Sequence, residues 1–286
     1  MKTVNSLSGG KTSSYIAANY PADANVFVLV RTNDKECLFP DKKIRKVVSD
    51  RIGIEFIGTL EMNDIVYTML DLEQYIGQKI EWLSPVSFDE VIQRNNGKIY
   101  LPNKTQRFCT VEMKIKPIMY WWANKFNREP VEMRIGYRAN EMRRAKNMYD
   151  RCDKDGFQYE KMTFEKHADG RNKWVTVKYR KPTFPLIEDN IYKDTIEQYW
   201  LNKPVRFAYM NNCVGCFHRS PILLKHMSTK APQQFSWHIK QEESAKTHNN
   251  ATFKTGMTYK QIKDSLEQLK LFDDDFNECD SGYCGL

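Results

Sequence analysis

The sequence predicts an α/β fold in which helices cover a parallel β-sheet, and three observations in its first third predict it. Short β-rich segments alternate there with stretches of helical periodicity, which is the pattern of β-α-β units. The continuous apolar run at residues 26–30 is typical of a strand buried on both faces. Apolar side chains recur at three-to-four spacing over residues 41–52 and indicate an amphipathic helix.

In chain order, the first third predicts three strands, at residues 3–7, 26–30 and 54–57. A helix is predicted after each strand, at residues 13–18, 41–52 and 63–75. Helical periodicity returns at residues 110–127, where Pro117 either kinks the helix or splits it in two. A strand at 131–137 and a helix with a very basic face at 140–149 follow.

The second half predicts a hairpin and then helices. β-rich runs on both sides of Asp169-Gly170 predict a β-hairpin over residues 157–179, and its basic side chains suit either an ordinary solvated hairpin or a nucleic-acid-binding one. The last hundred residues predict mostly helix, interrupted at Asn211-Asn212, Pro221 and Pro232. We therefore expect three parts, which are an α/β domain (1–145), a basic hairpin insertion (146–182) and a helical, cysteine-bearing C-terminal region (183–286).

Composition narrows the class of protein. The 286 residues include 44 Lys and Arg against 36 Asp and Glu, a net charge of +8 that favours an anionic partner such as nucleic acid or a nucleotide. A hydrophobic fraction of 41% excludes a disordered chain. No apolar run approaches the roughly 18 residues of a membrane helix, and the N-terminus has no apolar signal core. The seven cysteines are an odd number and are bunched in a way that a secreted, disulfide-bonded protein rarely shows. These observations together predict a cytoplasmic protein without membrane contact.

The segment from Leu7 to Ser14 predicts a phosphate-binding loop between the first strand and the first helix. Gly9 and Gly10 allow a tight turn that brings backbone N–H groups to one concave side. Lys11 adds a full charge, the helix N-terminus adds its dipole, and Ser8, Thr12 and Ser13 add hydroxyl donors. The alternative is an ordinary strand-to-helix turn. The Walker A pattern does not fit, because its first glycine would stand at Asn5.

Ser8-Gly9-Gly10-Lys11-Thr12-Ser13 resembles the S-G-G-x-[DT]-S loop of the ATP pyrophosphatase (PP-loop) superfamily, in which Asp is commoner than Thr at the fifth position. Four further segments resemble elements of its phosphoadenosine phosphosulfate (PAPS) reductase-like branch, and the first of them also resembles the sulfurtransferase of DNA phosphorothioation. They begin at Arg107 (R-x-C-T-x-x-x-K-x-x-P), Gly136 (G-x-R-x-[DN]-E-x-x-R), Phe184 (aromatic-P-L) and Asn212 (N-C-x-x-C-F). Together the segments span most of residues 1–220, although residues 31–34 depart from the N-T-G of many relatives.

The resemblance implies an adenine nucleotide alpha hydrolase-like fold that binds ATP and Mg²⁺ and cleaves ATP between its α and β phosphates. It assigns catalytic roles to Lys11 and Ser13, and nucleotide binding to Ser8, Gly9, Gly10, Lys11, Thr12, Ser13, Gly136, Arg138, Glu141 and Arg144. Planar arginine donors suit phosphate or sulfate, and Glu141 can fix one of them in orientation. Arg143 is better explained as part of a solvated basic face.

The cysteines predict a metal site. Cys213-x-x-Cys216 places two thiolates on one tight turn, and Cys109 with Cys284, or with Cys279 in its place, completes a set of four. Four thiolates suit zinc and an iron–sulfur cluster equally well, with His218 as a further zinc ligand. The resemblance favours a [4Fe-4S] cluster, with zinc or no metal as alternatives. Cys37 and Cys152 fit no ligand spacing.

The resemblance implies an AMP-forming, ATP-dependent sulfurtransferase. Its acceptor is expected to be tRNA or DNA, and its sulfur donor a protein or sulfide. One alternative comes from the last four residues, which resemble the E-C-G-[LI]-H tail of sulfonucleotide reductases with Tyr283 in place of Glu, and it makes Cys284 a catalytic nucleophile. The other is a zinc-stabilised nucleic-acid-binding module without turnover.

Overall fold

The computed structural model describes residues 1–93, 97–246 and 251–265 and has an α/β architecture with a six-stranded, mostly parallel sheet flanked by helices. The strands are β1 (Thr3–Leu7), β2 (Ala24–Val28), β3 (Arg31–Thr32), β4 (Gly58–Thr59), β5 (Ile80–Leu83), β6 (Val131–Arg134), β7 (Gln158–Lys166) and β8 (Asn172–Thr183). The sheet order is β5-β2-β1-β6-β8-β7. β1 pairs in parallel with β2 and β6, β6 pairs in parallel with β8, and β7 pairs antiparallel with β8. β3 and β4 form a separate antiparallel pair.

The helices among the described residues are α1 (Lys11–Asn19), α2 (Lys42–Ile52), α3 (Asp64–Ile76), α4 (Phe88–Ile92), α5 (Phe108–Thr110), α6 (Lys116–Lys125), α7 (Met142–Tyr149), α8 (Pro185–Glu188), α9 (Lys193–Trp200), α10 (Pro221–Lys230), α11 (Pro232–Lys246) and α12 (Tyr259–Asp264). Local signals explain several boundaries. The Asp41 carboxylate caps α2 by accepting from two backbone N–H groups, and Gly53 ends that helix at a φ of 70°. Pro221 and Pro232 each occupy the first position of a helix, where no N–H is needed.

The structure confirms the first strand, the hairpin and the long amphipathic helices predicted from the sequence, but the strand predicted at residues 54–57 is wrong. That segment is irregular, Ile54 is exposed, and the strand beside β2 is instead β5. Pro117 does not break the helical region, because a π-helical turn, Val111–Ile115, joins α5 to α6 and leaves Pro117 in the first turn of α6.

The chain divides into two compact units that interleave along the sequence. The first comprises Met1–Phe27, Met69–Glu81 and Ile118–Val205, and the second comprises Val28–Thr68, Trp82–Pro117 and Arg206–Leu286. The first contains the centre of the six-stranded sheet. The second has an apolar core rich in aromatic side chains, among them Phe88, Phe235 and Trp237. Across the described ranges, no helix is long and apolar enough to cross a lipid bilayer.

Candidate functional site

The predicted phosphate loop lies in the first unit, between the end of β1 and the start of α1. Gly9 adopts a φ of 77°, a left-handed conformation that L-residues with a side chain rarely take. Gly10 is the N-cap of α1, and no side chain caps the helix there. Since the first turn of any helix presents backbone N–H groups without intrahelical acceptors, this geometry suits an anion.

Ser13 fixes the shape of the loop from inside the helix. Its buried hydroxyl accepts from the backbone N–H of Ser8 at 3.1 Å and donates to the carbonyl of Gly10 at 3.2 Å. The Ser8 and Ser13 hydroxyls are also 3.1 Å apart. Ser8 itself is exposed, so its hydroxyl stands at the accessible side of the turn, whereas Ser13 braces the turn from the buried side.

Lys11 is held by α9 of the same unit. Its ammonium forms an ion pair with the carboxylate of Glu197, with both side chains roughly two-fifths exposed (37% and 41%). The indole N–H of Trp200 donates to the Lys11 carbonyl at 3.0 Å. A nucleotide phosphate would therefore compete with Glu197 for the lysine. Glu197 could not be predicted as the partner of Lys11, since nothing in the local sequence links it to a loop 186 residues away.

The Gly136 segment lies against this loop. A Cβ at Gly136 would be 3.4 Å from Thr12 Cγ2 and 3.8 Å from the Ser13 nitrogen, so the first turn of α1 packs directly on that backbone. Two residues on, the Arg138 guanidinium donates through Nε to Glu141 Oε2 at 3.1 Å.

Glu141 holds both predicted arginines. Its second carboxylate oxygen pairs with Arg144, whose guanidinium lies 4.0 Å over the Tyr137 ring. The Arg138 and Glu141 side chains are almost buried (8% and 11% exposed), whereas Arg143 is exposed, as expected for a solvated face. The structure thus brings Gly136 beside Thr12 and Ser13, and groups Arg138, Glu141 and Arg144 together.

The described predicted cysteines line one pocket in the second unit. Cys109, Cys213 and Cys216 line one pocket that is partly open to solvent, with apolar walls that include Phe88, Met113 and Phe253. A turn closed by Cys216 N–H and the Cys213 carbonyl, at 3.1 Å, forms the C-x-x-C loop.

Basic side chains surround this cysteine pocket. Burial, together with Arg107, Lys104 and Lys254, lowers the pKa of His218, which lines the pocket, to about 4. Burial also lowers the pKa of the Lys254 ammonium. His218 is therefore neutral at physiological pH, which is the form in which an imidazole nitrogen can bind a metal.

Two further cationic side chains lie next to the cysteines and have buried partners that the local sequence does not indicate. Lys114, which lines the pocket, pairs at 3.3 Å with the fully buried carboxylate of Glu61. Arg219 is 1% exposed, and its guanidinium donates to the backbone carbonyls of Asn211 and Cys213. Arg219 therefore places a buried positive charge next to the C-x-x-C loop, in contact with the Cys213 carbonyl. Thiolate charge would compensate it.

The C-x-x-C loop packs on a buried histidine. A Cβ at Gly215 would be 2.6 Å from the Cγ and Cδ2 atoms of His238, so any larger residue at position 215 requires the histidine ring or the loop to move. Burial lowers the pKa of His238 to about 4, and its Nδ1 is 2.8 Å from the Gln234 carbonyl. The Tyr259 hydroxyl donates to the Gly215 carbonyl at 2.9 Å. These contacts fix the loop from its buried side.

The donor set of the pocket suits a thiolate-bound metal, since three cysteines and a neutral histidine line one cavity. Within residues 1–93, 97–246 and 251–265, no cluster of three or more His, Cys, Asp or Glu side chains is already arranged around a metal position. The predicted fourth ligand and nucleophile, Cys284, and its alternative Cys279 lie outside the described residues. Cys37 and Cys152 are in other surroundings, and burial raises the pKa of both thiols.

In comparisons with family models, with curated proteins and with solved structures, none matches this chain.

Proposed function

We propose that this chain is an ATP pyrophosphatase that adenylates an acceptor for sulfur transfer, on a fold of the adenine nucleotide alpha hydrolase type. The observation that carries the proposal is the loop from Ser8 to Ser13. It combines a left-handed glycine, a helix N-terminus without a side-chain cap, an internal serine brace and a lysine. The glycine turn and the helix N-terminus suit an anion, the serine brace holds the turn in that shape, and the lysine adds positive charge.

In the proposed reaction, an oxygen of the acceptor attacks the α-phosphorus of ATP. The bond between the α-phosphorus and the bridging oxygen breaks, pyrophosphate leaves, and the acceptor oxygen carries AMP; Mg²⁺, when bound, would neutralise phosphate charge. A sulfur nucleophile then attacks the acceptor carbon or phosphorus and displaces AMP, which leaves with the original oxygen. The loop amides and Lys11 would bind the phosphates, and Arg138 and Arg144, oriented by Glu141, offer planar donors to an anionic group.

Cys109, Cys213 and Cys216 would hold an iron–sulfur cluster, with Cys284 or Cys279 as the fourth ligand. When bound, such a cluster supplies iron that takes up sulfur. The buried Arg219 charge supports an anionic thiolate site more than an apolar core. Since zinc has the same ligand preferences, the metal itself must be measured.

The proposed acceptor is a nucleic acid, because the chain carries an excess of eight positive charges and a basic hairpin. A tRNA or DNA acceptor fits both features.

The test is product analysis with ATP labelled at the α-phosphate, using anaerobically purified protein with sulfide and bulk tRNA or DNA. We expect AMP and pyrophosphate, lost in Lys11→Ala and retained in Lys2→Ala, a lysine of the same unit that pairs with Asp23 at the sheet edge. Production of ADP and phosphate, or no turnover with stoichiometric zinc, would contradict the proposal. Sulfite release from an activated sulfate, lost in Cys284→Ser, would support a reductase instead.

A further inference from the structure

One face of the β7–β8 hairpin combines exposed aromatic rings with lysines. Directly opposite residues in an antiparallel pair share a face, and three such pairs lie along it. They are Tyr159 with Lys178, Lys161 with Thr176, and Thr163 with Trp174. The Trp174 side chain is 58% exposed and Tyr159 is 47% exposed, large fractions for rings of this size.

The opposite face of the hairpin is the one that packs. Met162 and Tyr179 are each 2% exposed, and the Trp122 ring on α6 lies 4.8 Å from the Tyr179 ring. Since the hairpin obtains its core contacts on that side, the exposed rings of the first face are not needed to bury apolar surface. We call this first face, defined by the six residues paired above, the hairpin face.

The hairpin face carries positive charge and no carboxylate of its own. The strands and turn, residues 158–183, contain seven Lys and Arg against three Asp and Glu. Of the acidic residues, Glu165 pairs with Lys173 and Asp169 pairs with Arg171. The third, Glu160, lies opposite Val177 on the packed face.

Asp153, before the hairpin, is the carboxylate that reaches the hairpin face. It hydrogen-bonds the Tyr159 hydroxyl and so fixes that ring at one end. The Lys178 ammonium lies nearby, 3.9 Å over the Phe157 ring.

We propose that the hairpin face binds single-stranded nucleic acid, with Trp174 and Tyr159 stacking on bases and Lys161 and Lys178 contacting phosphates. The two rings are separated by about four strand residues, roughly 13 Å, so they contact different bases. Exposed rings alternating with lysines form the pattern that binds single strands without reading their sequence. The inference deepens the proposed function, since it assigns the acceptor a docking surface, but its test does not depend on turnover.

The test is binding of a fluorescein-labelled single-stranded 20-mer of RNA to the full chain, followed by anisotropy over a range of salt concentrations. Trp174→Ala should weaken binding at least fivefold, the lower end of the effect of removing one base stack, and Trp174→Phe should restore most of the affinity. The Lys161→Ala/Lys178→Ala double variant should reduce the slope of log K against log salt by about 1.4. Lys173 is adjacent to Trp174 in β8 but lies on the opposite face of the hairpin, so Lys173→Ala should leave the RNA affinity within twofold of wild type.

Equal affinity of Trp174→Ala and wild type, or an equal loss in Lys173→Ala, would overturn the inference. A Trp174-dependent association with phosphatidylserine vesicles in place of RNA would overturn it as well, and would make the hairpin face a lipid surface. ATP binding, measured in parallel, separates the two proposals. Trp174→Ala should bind ATP normally. Lys11→Ala should lose ATP binding and keep RNA binding, and a failure of that ATP result would count against the proposed phosphate loop without affecting the hairpin face.

Discussion

Replacing Gly215 with alanine tests how closely the cysteine loop packs on the second unit. The new Cβ would lie 2.6 Å from two ring carbons of His238 and 2.7 Å from its Nδ1, well inside contact distance. The ring cannot retreat easily, because His238 is 1% exposed and lies between the Phe253 and Tyr259 rings, at 5.2 and 5.8 Å. We expect the overpacking to cost about 1–3 kcal/mol of unfolding free energy.

Urea unfolding followed by tryptophan fluorescence measures this cost, since Trp237 lies 4.9 Å from the His238 ring. With a slope of about 2 kcal/mol/M, the midpoint should fall by roughly 0.5–1.5 M. His238→Ala removes the obstacle, so the double variant should be more stable than the sum of the two single losses predicts, by about 1–3 kcal/mol. An unchanged midpoint in Gly215→Ala, or strictly additive losses, would refute the reasoning. Iron content should fall with the midpoint if the loop holds the metal.

Three further predictions concern the charged groups. Glu197→Gln should tighten ATP binding, measured by calorimetry, up to about fivefold, since the partly exposed Lys11–Glu197 pair contributes at most about 1 kcal/mol. Lys11→Ala should weaken ATP binding. Weaker binding in both variants would contradict this and make Glu197 part of the ligand site. Glu141→Gln should lower the urea midpoint, because the buried Arg138 loses its carboxylate, and an unchanged midpoint would contradict the pairing. Burial lowers the pKa of His238 to about 4, so the unfolded chain binds a proton at this residue below pH 6.5 that the folded chain does not. His238 should therefore contribute about 2 kcal/mol to the loss of stability from pH 7 to pH 5, and the loss should be smaller by that amount in His238→Gln; a His238→Gln variant with the wild-type pH profile would contradict this.

The sequence predicted elements well where one local signal decides them. The strand predicted at 3–7 and the helix predicted at 41–52 correspond to β1 and α2 almost to the residue, and the helix predicted at 13–18 is α1, which begins two residues earlier. The strand predicted at residues 54–57 was wrong. These three apolar residues and one acidic residue are compatible with a strand, but the strand beside β2 is β5, from further along the chain. Pairing order depends on tertiary contacts, which local propensity does not contain.

The same difference between local signals and tertiary contacts decided which site residues could be predicted. The motifs indicated the three described cysteines, and the structure places them at one pocket, since both segments belong to the second unit. The partners Glu197, Glu61 and His238 were missed, since each acts across a long stretch of chain and none belongs to a local pattern.

The most direct test of the central proposal is a crystal structure with Mg²⁺ and α,β-methylene-ATP, an analogue whose inner anhydride resists cleavage. We predict its phosphates within hydrogen-bond distance of the backbone N–H groups between Gly9 and Ser13, with Lys11 moved from Glu197 to the phosphates. An analogue bound elsewhere, with the turn empty and the Lys11–Glu197 pair intact, would contradict the account.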